Sequence, residues 1–285
     1  MWVGTGSGLS GWSVGLNKYH DGLWTPYSDP TDCPRLYDFM SSIIVDSDSS
    51  IWISLFPIPS DRGGILHFNC DQHCEIIDTS RGLAENYIAR IDRGYRNELW
   101  FATGGQYYIY DVETDRIKRD TLGLFYSVPY PEYRDLVSID PVDSSNAYVC
   151  VGINLYLITH SSATRLTLPD TLTPYRLIED IKLDSHGNLW LLAIAGLFSY
   201  TDGEWTTWWL NDQWPDGPYR CPVFSLVEDS EGCIWLPEIE IGSDSLVLKK
   251  FDIELDTVVE YRYYLPYGDV GYNMAFDTLG NLWIS

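Results

Sequence analysis

Basic residues are scarce in this chain. Eighteen Lys and Arg stand against forty-one Asp and Glu, a formal net charge of -23 at pH 7. Nucleic-acid phosphates and anionic lipid surfaces repel so acidic a protein, so neither is expected as a partner. Long apolar runs are also missing. The longest, Leu189 to Phe198, contains Gly196 and is too short to cross a bilayer, so no membrane insertion is expected within this chain. No basic stretch followed by an apolar core opens the sequence, and no signal peptide is legible in it. The six cysteines, Cys33, Cys70, Cys74, Cys150, Cys221 and Cys233, are too few for a disulfide scaffold and lack paired zinc spacing. Cys70 and Cys74 flank Asp71-Gln72-His73 at a hairpin, where either a cross-strand disulfide or two free thiols fits. No metal or cofactor is expected.

What the chain has instead is repetition. Asp184-Ser185-His186-Gly187-Asn188-Leu189-Trp190 returns as Asp229 to Trp235 and as Asp277 to Trp283, with a looser copy from Asp46 to Trp52. Aligned on the aromatic, Trp2, Trp52, Trp100, Tyr148, Trp190, Trp235 and Trp283 are spaced by 50, 48, 48, 42, 45 and 48 residues. That step is the length of a propeller blade rather than of a helical hairpin. An alternating stretch such as Ile178-Glu179-Asp180-Ile181-Lys182-Leu183 precedes each phrase and reads as strand A. The phrase is then an Asp-Gly turn into strand B. A Gly turn leads to strand C (Gly196 to Tyr200), and Asp202-Gly203 turns into strand D.

Such a sheet leaves its faces unsatisfied and must stack radially, which makes the repeated Trp a packing residue first. The fold class is an all-β propeller of four-stranded antiparallel blades, about six visible, as one domain over 1–285. The blades are expected as an N-terminal partial one at 1–40, full ones near 41–80, 81–125, 126–170, 171–215 and 216–265, and a C-terminal partial one at 266–285. Strands B, C and D at the front and A and B at the back suit two arrangements. One is a six-bladed ring closed by joining front to back; the other, favoured by the surplus B strand, is a piece of a seven-bladed or longer array.

Asp-x-x-Gly-Asn-Leu-Trp followed by Gly-Leu-x-x-Tyr, best at Asp184 to Tyr200 and Asp277 to Ser285, resembles the two-component regulator propeller repeat. Trp2-Val3-Gly4-Thr5 supplies the Trp-x-Gly-Thr ending. The third unit departs by lengthening Asp92 to Trp100, the fourth by placing Tyr148 for Trp. The resemblance implies a sensor propeller of a bacterial hybrid histidine kinase, periplasmic or extracellular in the full-length protein and sensing carbohydrate-like ligands. It also implies further blades and a kinase module outside this chain. A looser resemblance, to streptogramin lyase propellers, implies a catalytic His constellation on one face. The motif specifies fold more than function.

Two motifs are decoys. Gly6-Ser7-Gly8-Leu9-Ser10-Gly11 satisfies a dinucleotide fingerprint but lacks the helix that would hold a pyrophosphate. Asp46-Ser47-Asp48 suggests a calcium loop without its distal bidentate Glu, and it occupies the same A to B turn as the other copies. The histidines His20, His67, His73, His160 and His186 do not converge on the D to A face, so no catalytic residue is assigned.

The D to A loops hold a second pattern: Pro34-Arg35-Leu36-Tyr37, Pro131-Glu132-Tyr133-Arg134, Pro174-Tyr175-Arg176, Pro218-Tyr219-Arg220 and the partial copy Pro266-Tyr267. Arg forks take carboxylate or sulfate bidentately and aromatic faces stack on sugar rings. The expected ligand site is therefore Arg35, Tyr37, Tyr133, Arg134, Tyr175, Arg176, Trp214, Tyr219, Arg220 and Tyr267, binding an oligosaccharide without catalysis. The competing reading pairs these arginines with Asp38, Asp135, Asp180 and Asp216 merely to order the loops. A protein-interaction or structural propeller and a lyase-like enzyme are the alternatives for function.

Overall fold

The described copies of the phrase at Asp184 and Asp229 each close a strand-to-strand turn around one carboxylate. In the fifth unit Asp184 Oδ1 accepts from the backbone N–H groups of His186 (2.9 Å) and Asn188 (2.8 Å). Its Oδ2 accepts from Asn188 Nδ2 (2.8 Å) and from Trp190 Nε1 (3.0 Å). Gly187 takes a left-handed φ of 84°, which a side chain would strain. Asp229 repeats the pattern with Glu231 N, Cys233 N and Trp235 Nε1, and Asp46 accepts from Trp52 Nε1 at 3.4 Å. The Asp that opens the turn thus also fixes the indole six residues on.

The computed structural model describes residues 2–5, 15–20, 23–27, 39–46, 50–56, 63–68, 74–88, 90–94, 97–103, 106–119, 136–139, 146–151, 154–159, 162–172, 178–210, 220–222, 225–240, 245–264, 274–276 and 279–284. They form seven antiparallel sheets. The first contains β1 (Trp2–Thr5), β2 (Gly15–His20) and β3 (Leu23–Tyr27). The second contains β4 (Phe39–Val45), β5 (Ile51–Phe56), β6 (Gly64–Phe68) and β7 (Cys74–Ile77). Next come β8 (Ile91–Arg93), β9 (Glu98–Thr103), β10 (Gln106–Asp111) and β11 (Arg116–Arg119). The fourth sheet holds β12 (Leu136–Ile139), β13 (Ala147–Val151), β14 (Asn154–Thr159) and β15 (Ser162–Arg165). The fifth holds β16 (Ile178–Leu183), β17 (Leu189–Ala193), β18 (Gly196–Thr201) and β19 (Glu204–Leu210).

In the sixth sheet the inner strand is split into β20 (Arg220–Pro222) and β21 (Val227–Glu228), both pairing with β22 (Ile234–Glu240). β23 (Ser245–Asp252) and β24 (Thr257–Tyr264) complete it. β25 (Met274–Phe276) and β26 (Leu282–Ile284) form the seventh. The inner strands of consecutive sheets touch, β4 with β8, β8 with β12, β12 with β16 and β21 with β25, and so surround the propeller axis. No helix among the described residues is long and apolar enough to cross a membrane.

One aromatic rule joins the sheets. The strand C residue paired with the position just before the ruler aromatic is Tyr110, Ile158, Tyr200 or Phe251 in the third to sixth sheets. Each packs with the ruler aromatic of the preceding sheet. Trp52 meets Tyr110 edge-on at 5.5 Å, Trp100 shares a core with Ile158, Tyr148 with Tyr200, and Trp190 with Phe251. Trp52 and Trp190 are 1% exposed, so each burial contributes roughly 2–3 kcal/mol.

Tyr19 occupies the same position in the first sheet, and Trp283 of the seventh packs on it at 5.3 Å and on Trp24 at 6.1 Å. The last sheet therefore stands beside the first as any blade stands beside the next. β25 pairs with β26 and not with β1, so the front and back strands form two separate sheets rather than one joined blade. Trp235 and Trp283 pack against neighbouring sheets as expected, though both are only half-buried. Trp235 leans on Phe276 of the two-stranded last sheet, where no third strand is described to cover it.

The lengthened third unit breaks the clamp. Trp100 Nε1 is buried without a partner, and a Cβ at Gly94 would lie 2.4 Å from it, so the turn backbone replaces the missing carboxylate as the indole's neighbour. Cys74 is disulfide-bonded while Cys150 and Cys233 are free thiols. The partner of Cys74 is therefore Cys33, Cys70 or Cys221, whose side chains lie outside the described residues.

Asp184→Ala removes four hydrogen bonds at a site with 0% exposure. It is expected to cost about 2–4 kcal/mol in urea unfolding; a loss under about 0.5 kcal/mol would show that the clamp does not hold the hairpin.

Candidate functional site

Counting back ten residues from each ruler aromatic reaches Ser42, Arg90, Ser138, Asp180, Ser225 and Asn273, all polar and all on or next to an inner strand. Asn273 lies outside the described residues. Four of the other five, Ser42, Ser138, Asp180 and Ser225, bind the neighbouring inner strand. Ser42 Oγ donates to Ile91 O (3.4 Å), Ser138 Oγ accepts from Leu183 N (3.0 Å) and Ser225 Oγ accepts from Met274 N (3.3 Å). Asp180 Oδ2 accepts from Leu226 N at 2.8 Å.

Local irregularity aims these side chains. β4 shifts register between Met40 and Ser42 and β16 between Ile178 and Asp180, while the sixth inner strand is interrupted before Ser225. A bulge turns the following residue out of the ladder, here toward the adjacent blade.

Arg90 departs from the neighbour-to-neighbour pattern. From the third sheet it reaches the fifth, past β12 of the fourth, and Nη1 donates to Asp180 Oδ1 (2.6 Å) and Ile181 O (3.0 Å). Burial works against its charge, but the carboxylates of Asp180 and Asp92 outweigh that and raise its pKa above the ordinary guanidinium value. Lys182, two residues beyond Asp180 and on the same strand face, is pushed below the usual ammonium range. Burial is the main cause and the Arg90 charge the second; Asp180, Asp92 and Glu228 oppose them. The channel wall between the third, fifth and sixth sheets thus carries two cations amid three carboxylates.

Asp180 is one of the acids expected to pair with the loop arginines. Its partner is Arg90, which belongs to no Pro-Tyr-Arg copy. Ten-residue spacing from Trp100 was the signal that could have found it.

Of the sequence-predicted ligand residues, Arg35, Tyr37, Tyr133, Arg134, Tyr175, Arg176, Trp214, Tyr219 and Tyr267 lie outside the described residues. Arg220 is described only as backbone at the start of β20, paired with Glu240. The D to A connection that is described, 78–88, lacks the Pro-Tyr-Arg pattern and is tied down. Asp78 caps the short turn Thr79–Arg81, Tyr108 Oη accepts from Ala84 N, and Thr103 Oγ1 donates to Tyr87 O. Arg81 bridges Glu75 and Asp115 at its outer edge.

The opposite end, formed by the A to B turns, has an acidic bowl of about 480 Å³ lined by Ser185, His186, Glu228, Asp229, Glu231 and Glu254. Asp229, Glu231 and Cys233 approach closely enough to hold a cation. That place is taken by the Lys250 ammonium, 3.0 Å from Asp229 and 2.9 Å from Glu231. Burial raises the Cys233 thiol above its ordinary pKa, away from the thiolate a metal needs. The three described histidines sit on three sheets: His20 ends β2, His186 lies in an A to B turn, and His67 stacks on Trp52 at 3.8 Å.

No family model and no curated protein matches the chain. Solved structures do. The chain is similar to the extracellular domain of a protein described as a hybrid two component system, BT4673 from B. thetaiotaomicron, at 16% identity over 86% of this chain and 30% of that one (TM-score 0.63). The BT3049 domain from the same organism gives 15% identity over 95% and 36% of the two chains (TM-score 0.65). Streptogramin B lyase matches at 10% identity over 86% and 89% (TM-score 0.55). At these identities the likeness establishes the β-propeller fold, and the chain spans about a third of the length of the two sensor domains.

Arg90→Gln leaves the Asp180 carboxylate, 6% exposed at its side chain, without its cation. A loss of about 3–5 kcal/mol in denaturant unfolding is expected, partly restored in Arg90→Gln/Asp180→Asn. A single variant within about 1 kcal/mol of wild type would remove the pair from the framework.

Asp229 has a lowered pKa: burial raises it, but the hydrogen bonds from Trp235, Cys233 N and Lys250 prevail. Its stabilisation is present above the unfolded carboxylate pKa of about 3.9 and is lost as pH falls through the lower folded value. Acid unfolding followed by fluorescence should be shallower below about pH 4 in Asp229→Asn than in wild type; identical curves would discount the linkage.

Proposed function

We propose that this protein is a non-enzymatic, extracytoplasmic ligand-sensing propeller that takes a carbohydrate-like ligand on the D to A face. The observation that carries the reading is the polar belt. A purely structural propeller can fill its axis with apolar side chains, whereas Ser42, Arg90, Ser138, Asp180 and Ser225 line the inner strands with hydrogen-bonding groups. By sequence order the Pro-Tyr-Arg loops belong to the D to A connections, and their forked donors and aromatic faces are of the kind that recognise acidic or polyhydroxylated rings.

The fold shared with extracellular domains of two component systems supports a sensory role and a place outside the cytoplasm. A signalling output would come from a module beyond this chain. Among the described residues, His20, His67 and His186 sit on separate sheets and so do not form the His constellation that lyase chemistry would need.

A thermal-shift and calorimetric screen of neutral, uronic and sulfated oligosaccharides tests the reading. At least one is expected to bind, and Arg134→Ala/Arg176→Ala/Arg220→Ala is expected to weaken it at least about tenfold, the scale of losing charged hydrogen bonds. Absence of any ligand across the panel, or unchanged affinity in the triple variant, would refute the site.

A further inference from the structure

Two cations beside the channel keep donors unused. Arg90 commits Nη1 to Asp180 and Ile181 O, and among the described residues its Nε and Nη2 have no partner. Lys182, on the same strand face as Asp180, makes no hydrogen bond or ion pair among the described residues. We propose that the channel binds a small carboxylate between the Lys182 ammonium and the free edge of the Arg90 guanidinium.

The neighbouring acids do not already satisfy Lys182. Asp180 is saturated by Arg90, its own Ile181 N and Leu226 N. Both Glu228 oxygens accept from Ser185, at 2.6 to 3.0 Å. A cation held in a partly buried place without a partner is unfavourable by itself, and functional sites are where such arrangements concentrate. Burial and the Arg90 charge both lower the Lys182 pKa, and an incoming anion would offset the second.

Charge also sets the class of ligand. Arg90 and Asp180 cancel, and Lys182 beside Asp92 and Glu228 leaves the cluster with one net negative charge, so an anion is held there by direct hydrogen bonds to Lys182 and the Arg90 edge rather than by net charge. A monoanion meets less repulsion from Asp92 and Glu228 than a phosphate dianion does. The planar carboxylate also fits the free edge of a guanidinium. Sugar acids and simple carboxylic acids share this group. This inference goes beyond the rim reading and does not depend on the loop arginines.

Titration calorimetry of the intact chain with glucuronate, acetate, glucose and inorganic phosphate decides it. Saturable binding of glucuronate or acetate is expected, with glucose and phosphate at least about tenfold weaker. Lys182→Gln should lose at least tenfold in carboxylate affinity with thermal unfolding unchanged or raised, because the side chain has no folding partner to lose and its buried charge is removed. Lys182→Arg should retain binding. Binding of glucuronate alone would assign the site to sugar acids; binding of both would assign it to the carboxylate group in general. Lack of saturable carboxylate binding, equal affinity for phosphate, or wild-type affinity in Lys182→Gln would overturn the proposal. Carboxylate binding that survives Arg134→Ala/Arg176→Ala/Arg220→Ala separates it from the rim site.

Discussion

A buried indole held by the carboxylate six residues before it is the constraint on which this propeller depends. Asp184 and Asp229 each satisfy turn backbone and one Trp N–H together, so the hairpin and the blade face are set by the same side chain. Trp190 then meets Phe251 of strand C in the next blade, as Trp52 meets Tyr110. Local turn chemistry is thereby converted into radial stacking, and the position of every inner strand follows from it. Where the spacing between Asp and Trp grows, at Trp100, the N–H is orphaned and Gly94 must stay bare to admit the ring.

Inside that frame the channel is held by polar groups rather than packed oil. Bulges at Ser42 and Asp180 turn one side chain per blade toward its neighbour, and a broken strand does the same before Ser225. Such hydrogen bonds add modest net stability and place polar rather than apolar groups on the inner strands. The acidic end is different in kind. Lys250 neutralises the Asp229 and Glu231 pair from within, which makes that end a solvated turn surface and directs attention to the channel and its other mouth.

The blade plan, the A to B turn and the packing role of Trp52 and Trp190 were legible because they rest on short-range patterns: a period of two, an Asp-Gly turn, a fixed step between aromatics. Arg90 was not. It follows a D to A connection that lacks Pro-Tyr-Arg, and its partner is ninety residues away on a non-adjacent sheet. The half-burial of Trp235 and Trp283 was hidden for a related reason, since identical phrases differ only in what the neighbouring blade supplies.

The amino-acid order by itself determined the repeat, the strand order within a blade and the acidic, aromatic character of the surface and core, because each depends on residues within one hairpin or on composition. Only the tertiary structure decided that Tyr19 receives Trp283, that the first and last sheets remain separate, and that Arg90 meets Asp180 beside Lys182. Those contacts depend on the curvature with which successive blades wind about one axis, and that curvature is the sum of many packing angles that no single segment encodes.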